Sequence, residues 1–284
     1  MKKEFEHLTW LYVLTWPMIW LFVVWVRRRK RRGTDHTVAC YSRWWDGLPA
    51  VHRMRESAAK WPALDAIYNW APTLRGLRGW LEWYYLHGCA CQALRNRYRC
   101  VVATLELAIA DSIARHGEAR ILSLAAGTGQ SVFEAAARFK GHVQIVAIDA
   151  DDSALLASQT LAAHYGLTNV EWRCGNVLHP HTLAQDVQPT IIEVVGLFDY
   201  LQDATIRGLL RRLARVAAPD SVLITAHIHP HREALVIKEL LDWEMTYRTR
   251  DDLERLLTSG GCSPCHLTTE PHGIFTVACG TLHL

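Results

Sequence analysis

The sequence predicts an α/β fold: a doubly wound, mostly parallel seven-stranded sheet, preceded by an N-terminal transmembrane helix and a helical cap. Three observations lead there. From Arg120 onward, short apolar runs alternate with helical patterns. The first run, Ile121-Leu122-Ser123-Leu124-Ala125-Ala126, closes on Gly127-Thr128-Gly129. The next, Val146-Ala147-Ile148-Asp149, ends in a lone carboxylate about twenty residues later. Strand, glycine turn, helix, strand and acid together build a nucleoside site in a doubly wound sheet. The glycines admit the ligand close to the backbone, and the carboxylate accepts hydrogen bonds from ribose hydroxyls.

The remaining elements follow the same rhythm. Strands are predicted near 120–125, 143–149, 169–173, 190–195 and 221–227, with helices near 130–139, 152–164, 203–217, 233–242 and 250–258. Pro219-Asp220 marks the turn into the fifth strand. Two last strands, near 264–269 and 274–280, flank Glu270-Pro271-His272-Gly273 as a hairpin. Repeated βα units imply a parallel sheet covered on both faces, and the hairpin adds an antiparallel edge.

Ahead of the sheet, Tyr41 to Gly117 is rich in Trp and Arg. Trp44, Trp45, Trp61, Trp70, Trp80 and Trp83 are too many for a solvated linker. Leu94, Tyr98, Val101, Val102, Leu105, Leu107 and Ile109 mark a long helix over Cys91–His116, with Gly117 as its stop. The expected organisation is an anchor with a basic block over 1–33, a helical cap over 34–117 that opens on a short linker at Gly33–Cys40, and a sheet domain over 118–284.

The N-terminus carries a different signal. Leu8 to Val26 contains no charged residue, and Trp10 and Trp25 stand near its ends. As a helix it reaches roughly across a hydrocarbon core, with indoles at the interfaces. Pro17 can kink such a helix without forbidding it. Six consecutive basic residues, Arg27 to Arg32, follow in place of a small-residue cleavage site. Positive flanks stay cytoplasmic, so the expectation is a single-pass inner-membrane protein with a cytoplasmic body, its basic block on anionic lipid headgroups. The formal net charge is +3, and without that block acidic residues outnumber basic ones. No basic face remains for nucleic acid. Eight scattered cysteines suit free thiols in a reducing compartment.

The glycine loop, the Asp149 strand, Cys174-Gly175-Asn176-Val177 after the third strand and the closing hairpin together resemble class I S-adenosylmethionine-dependent methyltransferases, over roughly residues 118–284. Glu193-Val194-Val195-Gly196-Leu197-Phe198-Asp199-Tyr200-Leu201, Asp242-Trp243-Glu244-Met245-Thr246-Tyr247-Arg248-Thr249 and Arg95-Asn96-Arg97 are similar to a bacterial subgroup that includes enzymes associated with methyl esters of hydroxy fatty acids. The resemblance implies S-adenosylmethionine as cofactor in a Rossmann-like domain. Ala125, Gly127 and Gly129 would line its methionine and ribose, Asp149 would hold the ribose diol, Ala150 would lie against adenine, and Asn176 with Val177 would frame the adenine edge. The chain departs from the pattern at Ala125 and Asn176, where the family commonly carries acids.

Methyl transfer from a sulfonium is an in-line displacement that needs alignment and exclusion of water. A carboxylate acceptor needs no base, whereas a hydroxyl does. Asp199, Tyr200 and His229 are the candidate catalytic residues, with His227 beside them, because they follow strands four and five where ligands bind in this architecture. For Asp199-Tyr200 the alternative is capping the next helix and filling its core. Arg95 and Arg97 could reach an anionic acceptor, and Arg248 could be buried against Asp242 or face the site. The expected acceptor is small and lipophilic, methylated on a carboxyl or hydroxyl oxygen. The competing reading is a catalytically silent subunit of a membrane protein complex. No metal site is expected. The histidines of His179-Pro180-His181 and His227-Ile228-His229-Pro230-His231 lack a familiar ligand spacing. Cys262-Ser263-Pro264-Cys265-His266 matches a haem-attachment pattern but opens a strand.

Overall fold

The computed structural model describes residues 4–7, 10–32, 47–178 and 186–283. The expected linker at Gly33–Cys40, Trp44, Trp45 and the His179-Pro180-His181 segment lie outside them. The helices are α1 (Trp10–Arg31), α2 (Pro49–Glu56), α3 (Trp61–Tyr68), α4 (Gly76–Leu86), α5 (Cys89–His116), α6 (Gln130–Ala136), α7 (Asp152–Tyr165), α8 (Asp203–Val216), α9 (Ala234–Leu241) and α10 (Arg250–Ser259). The strands are β1 (Ala119–Leu124), β2 (Val143–Asp149), β3 (Val170–Cys174), β4 (Ile191–Val195), β5 (Val222–Ile228), β6 (Cys262–Thr269) and β7 (Phe275–Leu282).

These strands form one seven-stranded sheet in the order β3-β2-β1-β4-β5-β7-β6. The first five run parallel, and β7 inserts antiparallel between β5 and β6. The direction of strand order reverses between β1 and β4, which creates the crevice where ligands bind in open α/β sheets. One face of the sheet is dry because α8 carries Ile206, Leu209, Leu210 and Leu213 at helical spacing, and α10 carries Leu253, Leu256 and Leu257. These side chains bury Leu122, Leu124, Ile192 and Val194. Thr249 and Asp252 form a reciprocal capping box that starts α10 at Arg250.

The chain divides into two compact units, Met1–Asn96 with Pro230–Met245 and Arg97–His229 with Thr246–Leu284. Residues 230–245 join the N-terminal helices because Ile237 and Leu241 of α9, with Trp243, pack among Met54, Ala63, Ile67 and Leu86. Buried carboxylates hold this first unit together. Glu82 accepts from the Ala50 amide at 2.8 Å and from the Trp70 indole at 3.2 Å. Glu233 accepts from the Cys89 and Ala90 amides at 3.0 and 2.7 Å, satisfying donors that the start of α5 leaves unpaired. The aromatic-rich region is thus a packed helical body.

Within the first unit, α1 is long and apolar enough to cross a membrane by length and composition. One side of it is covered: Tyr12, Val23 and Val26 are buried, and Thr15 hydrogen-bonds the Tyr84 hydroxyl.

Candidate active site

The second unit builds the site at the carboxyl ends of β1 to β4. After Leu124 the chain turns back on itself. Ala125 takes a φ of 50°, and Gly127 and Gly129 follow at 55° and 69°. Left-handed backbone is costly for a residue with a Cβ, so Ala125 is held there by its surroundings. The Ala126 amide bonds the Ile148 carbonyl, continuing the β1–β2 ladder past the strand end, and the Gly129 amide closes the turn on Ala126. At Gly129 a side chain has no room, since a Cβ would lie 2.8 Å from the Phe133 ring.

Asp149, at the end of β2, reaches this loop. Its Oδ2 accepts from the Gly127 amide at 2.7 Å and its Oδ1 from the Asp151 amide at 2.9 Å. An ionised carboxylate offers about four lone-pair positions, so capacity remains for a diol. Ala150 is exposed beside it, and the Gly175 amide bonds the Asp149 carbonyl. Asn176 is exposed and its side-chain oxygen accepts from the Leu178 amide, while Val177 packs into the core beneath. The structure thus gathers Ala125, Gly127, Gly129, Asp149, Ala150, Asn176 and Val177 along one edge of the sheet.

The candidate catalytic residues are deployed differently. Asp199 is buried; its Oδ1 accepts from the Ile228 amide at 3.1 Å and stands 2.7 Å from Nδ1 of His227. It does not cap α8, whose first turn begins after Gln202. His229 is also buried, with Nδ1 2.7 Å from the Arg248 carbonyl and Nε2 2.6 Å from the Thr276 hydroxyl. Its two ring nitrogens thus meet one backbone carbonyl and one hydroxyl of β7. Of the three candidates, only Tyr200 has an exposed side chain.

Arg248 explains why Asp199 and His227 lie where they do. It does not pair with Asp242, which takes Lys30 at 2.8 Å within the first unit. Its guanidinium is buried, binding Asp203 at 2.8 Å and the carbonyls of Phe198 and Leu201 at 3.0 and 2.6 Å. Nη1 also approaches His227 Nε2 at 3.4 Å. Arginine only donates, so Nε2 accepts and Nδ1 carries the proton toward Asp199. Arg95, for which an anionic acceptor was one option, is a buried clamp on Glu6 at 2.6 Å and on the Leu86 carbonyl at 2.9 Å. Arg97 stacks over the Phe275 ring, its guanidinium carbon 4.9 Å from the centroid.

Glu193 emerges from the structure with a role that its sequence neighbourhood did not suggest. It interrupts the apolar run of β4, lies opposite Ser123 in register and is buried. Burial pushes its carboxyl up to about 7, although the Ser123 hydroxyl at 2.6 Å and the charge of Arg97 pull the other way. A charged residue inside Ile191-Ile192-Glu193-Val194-Val195 was the available signal.

This sheet order, glycine loop and strand-end acid define a nucleoside-binding domain of the methyltransferase type. Residues 37–281 match the family model described as "Putative methyltransferase", and the chain belongs to that family. S-adenosylmethionine is the cofactor of this class. Over 227 residues, 76% of this chain, it is 26% identical to the uncharacterized protein YnbC of Escherichia coli, of which it spans only 39%. Among solved structures it is similar to "a possible exported protein" from Bordetella parapertussis, with a TM-score of 0.67 at 17% identity, covering 84% of this chain and 87% of that one. It is also similar to magnesium protoporphyrin IX methyltransferase from Synechocystis with S-adenosylmethionine bound, with a TM-score of 0.50 at 12% identity, covering 78% and 97%. These likenesses establish the seven-stranded methyltransferase fold.

Two outcomes test the buried groups. Asp199→Ala leaves the buried Ile228 amide without its acceptor and removes the carboxylate 2.7 Å from His227, so denaturant unfolding should show a loss of about 2 kcal/mol. A change below about 0.5 kcal/mol, the scale of an ordinary surface substitution, would contradict the network. Glu193 prefers its protonated form in the folded protein, so the stability it contributes is present below its ordinary value of 4.5 and fades as pH rises to about 7. Between those limits the wild type should lose stability relative to Glu193→Gln, by a total on the order of 3 kcal/mol. Parallel stability curves for the two proteins would refute the assignment.

Proposed function

We propose that this chain is an S-adenosylmethionine-dependent O-methyltransferase acting at a membrane on a small lipophilic acid. The observation that carries the reading is the Asp149 carboxylate. It ties down the glycine loop through Gly127 and keeps acceptor capacity where a ribose diol would lie. The cofactor, when bound, supplies an electrophilic methyl on a sulfonium. Around it, Ala125, Gly127 and Gly129 give backbone close approach, Asp149 fixes the ribose, Ala150 offers a small surface to adenine, and Asn176 with Val177 borders the ring.

The acceptor follows from what the neighbouring residues are already doing. Asp199, His227 and His229 are bound within the fold, so none of them is free to take a proton from a hydroxyl. A carboxylate is a nucleophile at neutral pH and needs no base, so positioning and exclusion of water suffice. Tyr200, at the open end of β4, is placed to border the acceptor. A hydroxy fatty acid methylated on its carboxyl is the acceptor class that also fits the sequence resemblance. The seven cysteines among the described residues are free thiols, which supports a reducing, cytoplasmic setting. The basic block supports the inner-membrane surface as the place of work.

Calorimetric titration of the full chain with S-adenosylmethionine should give saturable binding that Asp149→Ala weakens at least about tenfold, the worth of one good hydrogen bond to a charged group. Unchanged affinity would remove Asp149 from the site. Offered a fatty acid and its matched fatty alcohol, the enzyme should form methyl ester and leave the alcohol unmodified. Ether formation at a comparable rate would require a base that this reading excludes.

A further inference from the structure

The first helix is apolar all round, yet it is half covered. Tyr12, Val23 and Val26 are buried on one side, and Thr15 and Trp16 are half-buried there. On the other side Trp10, Val13, Leu14, Pro17, Met18, Trp20 and Leu21 are all exposed. At 100° per residue these seven fall within a single arc of about 160°. A helix lying on a water-soluble body carries polar residues on its outer face. This one presents none before Arg27.

The covered side meets polar and charged groups along its length. Near the start, the Arg232 guanidinium stacks over Trp16 at 5.0 Å, and Thr15 hydrogen-bonds Tyr84. Near the end, Lys30 binds the Glu239 carbonyl and the Asp242 carboxylate, each at 2.8 Å, and Arg27 lies 3.5 Å from Glu239. If α1 crossed a bilayer in this arrangement, α9 would follow it into hydrocarbon with Arg232, Glu233 and Glu239. Each charge there costs several kcal/mol. The apolar patch also extends beyond α1. Trp80 stacks on Tyr84, which lies 5.4 Å from the Tyr12 ring, and both Trp80 and Leu77, a turn earlier on α4, are exposed.

We propose that α1 lies in the plane of the membrane, with its exposed face and Leu77–Trp80 sunk into the boundary between headgroups and acyl chains, in place of the spanning orientation expected from sequence. The occupant of this face is an anionic lipid surface. Charge complementarity selects it, because the apolar arc runs directly into Arg27, Arg28, Arg31 and Arg32, which are exposed. Trp10, Trp20 and Trp80 suit that depth, since an indole pairs an apolar body with a polar N–H. The arrangement seats the first unit on the leaflet from which a lipophilic acid would be drawn, but it stands independently of cofactor binding.

Two measurements on the full chain decide it. Epitope tags at the two termini, probed with protease in inverted and right-side-out vesicles, should be cut from the same, cytoplasmic, side. Cleavage on opposite sides means a spanning helix and overturns the proposal, as does loss of the N-terminal tag by processing. In flotation, the protein should bind vesicles of phosphatidylcholine with phosphatidylglycerol and bind pure phosphatidylcholine vesicles at least about tenfold less, because the basic block is drawn to an anionic surface. Leu14→Glu/Leu21→Glu changes only exposed positions, so it should keep the wild-type melting temperature while losing vesicle binding at least tenfold. Retained binding by this variant, or a wild type that floats on neither vesicle, refutes the lipid surface. A variant that elutes as a smaller oligomer while still floating assigns the face to a second copy instead.

Discussion

The hydrogen bond from the Gly127 amide to the Asp149 carboxylate is the contact on which the site depends. It joins the turn after β1 to the end of β2, across the edge of a parallel pair whose register runs from Ala119–Val143 to Leu124–Ile148. A parallel pair leaves its strand ends open, and here the open end is closed by an ion-to-amide bond. That bond ties the carboxylate to the loop at Ala125–Gly129. Without it the glycine turn would be a flexible crossing. With it, the turn is a preformed surface at the point where strand order reverses.

A second constraint lies deeper in the same unit. Arg248 follows the first unit's α9 in sequence and reaches back to Asp203, Phe198 and Leu201, and through His227 to Asp199. One guanidinium thereby organises the turns that follow β4 and β5. Asp199, His227 and His229 are engaged inside the fold.

Strands β1, β2, β4 and β5 were legible in the sequence because each is built on a short apolar run, whereas β3 and β6 carry charged or polar residues and were placed by the alternation of elements around them. Strand β2 matches its expected bounds of 143–149, and the others shift by one or two residues. The glycine loop and Asp149 were legible for the same local reason. The roles of Asp199 and His229 were not, because their partners, Ile228, Arg248 and Thr276, come from separate elements that meet only in the folded sheet. Periodicity also could not place Pro230–Met245 with the N-terminal helices, since α9 is apolar enough to pack on either unit. Composition marked α1 as long and apolar but hid its asymmetry: both halves are hydrophobic, and only packing shows which half is covered.

Amide hydrogen exchange on the full chain, with and without S-adenosylmethionine, tests whether the Asp149-tied loop is where the cofactor binds. Slowed exchange confined to residues 125–130, 149–152 and 174–178 is expected. Absence of any protection at saturating cofactor, or protection confined to other parts of the sheet, would contradict it.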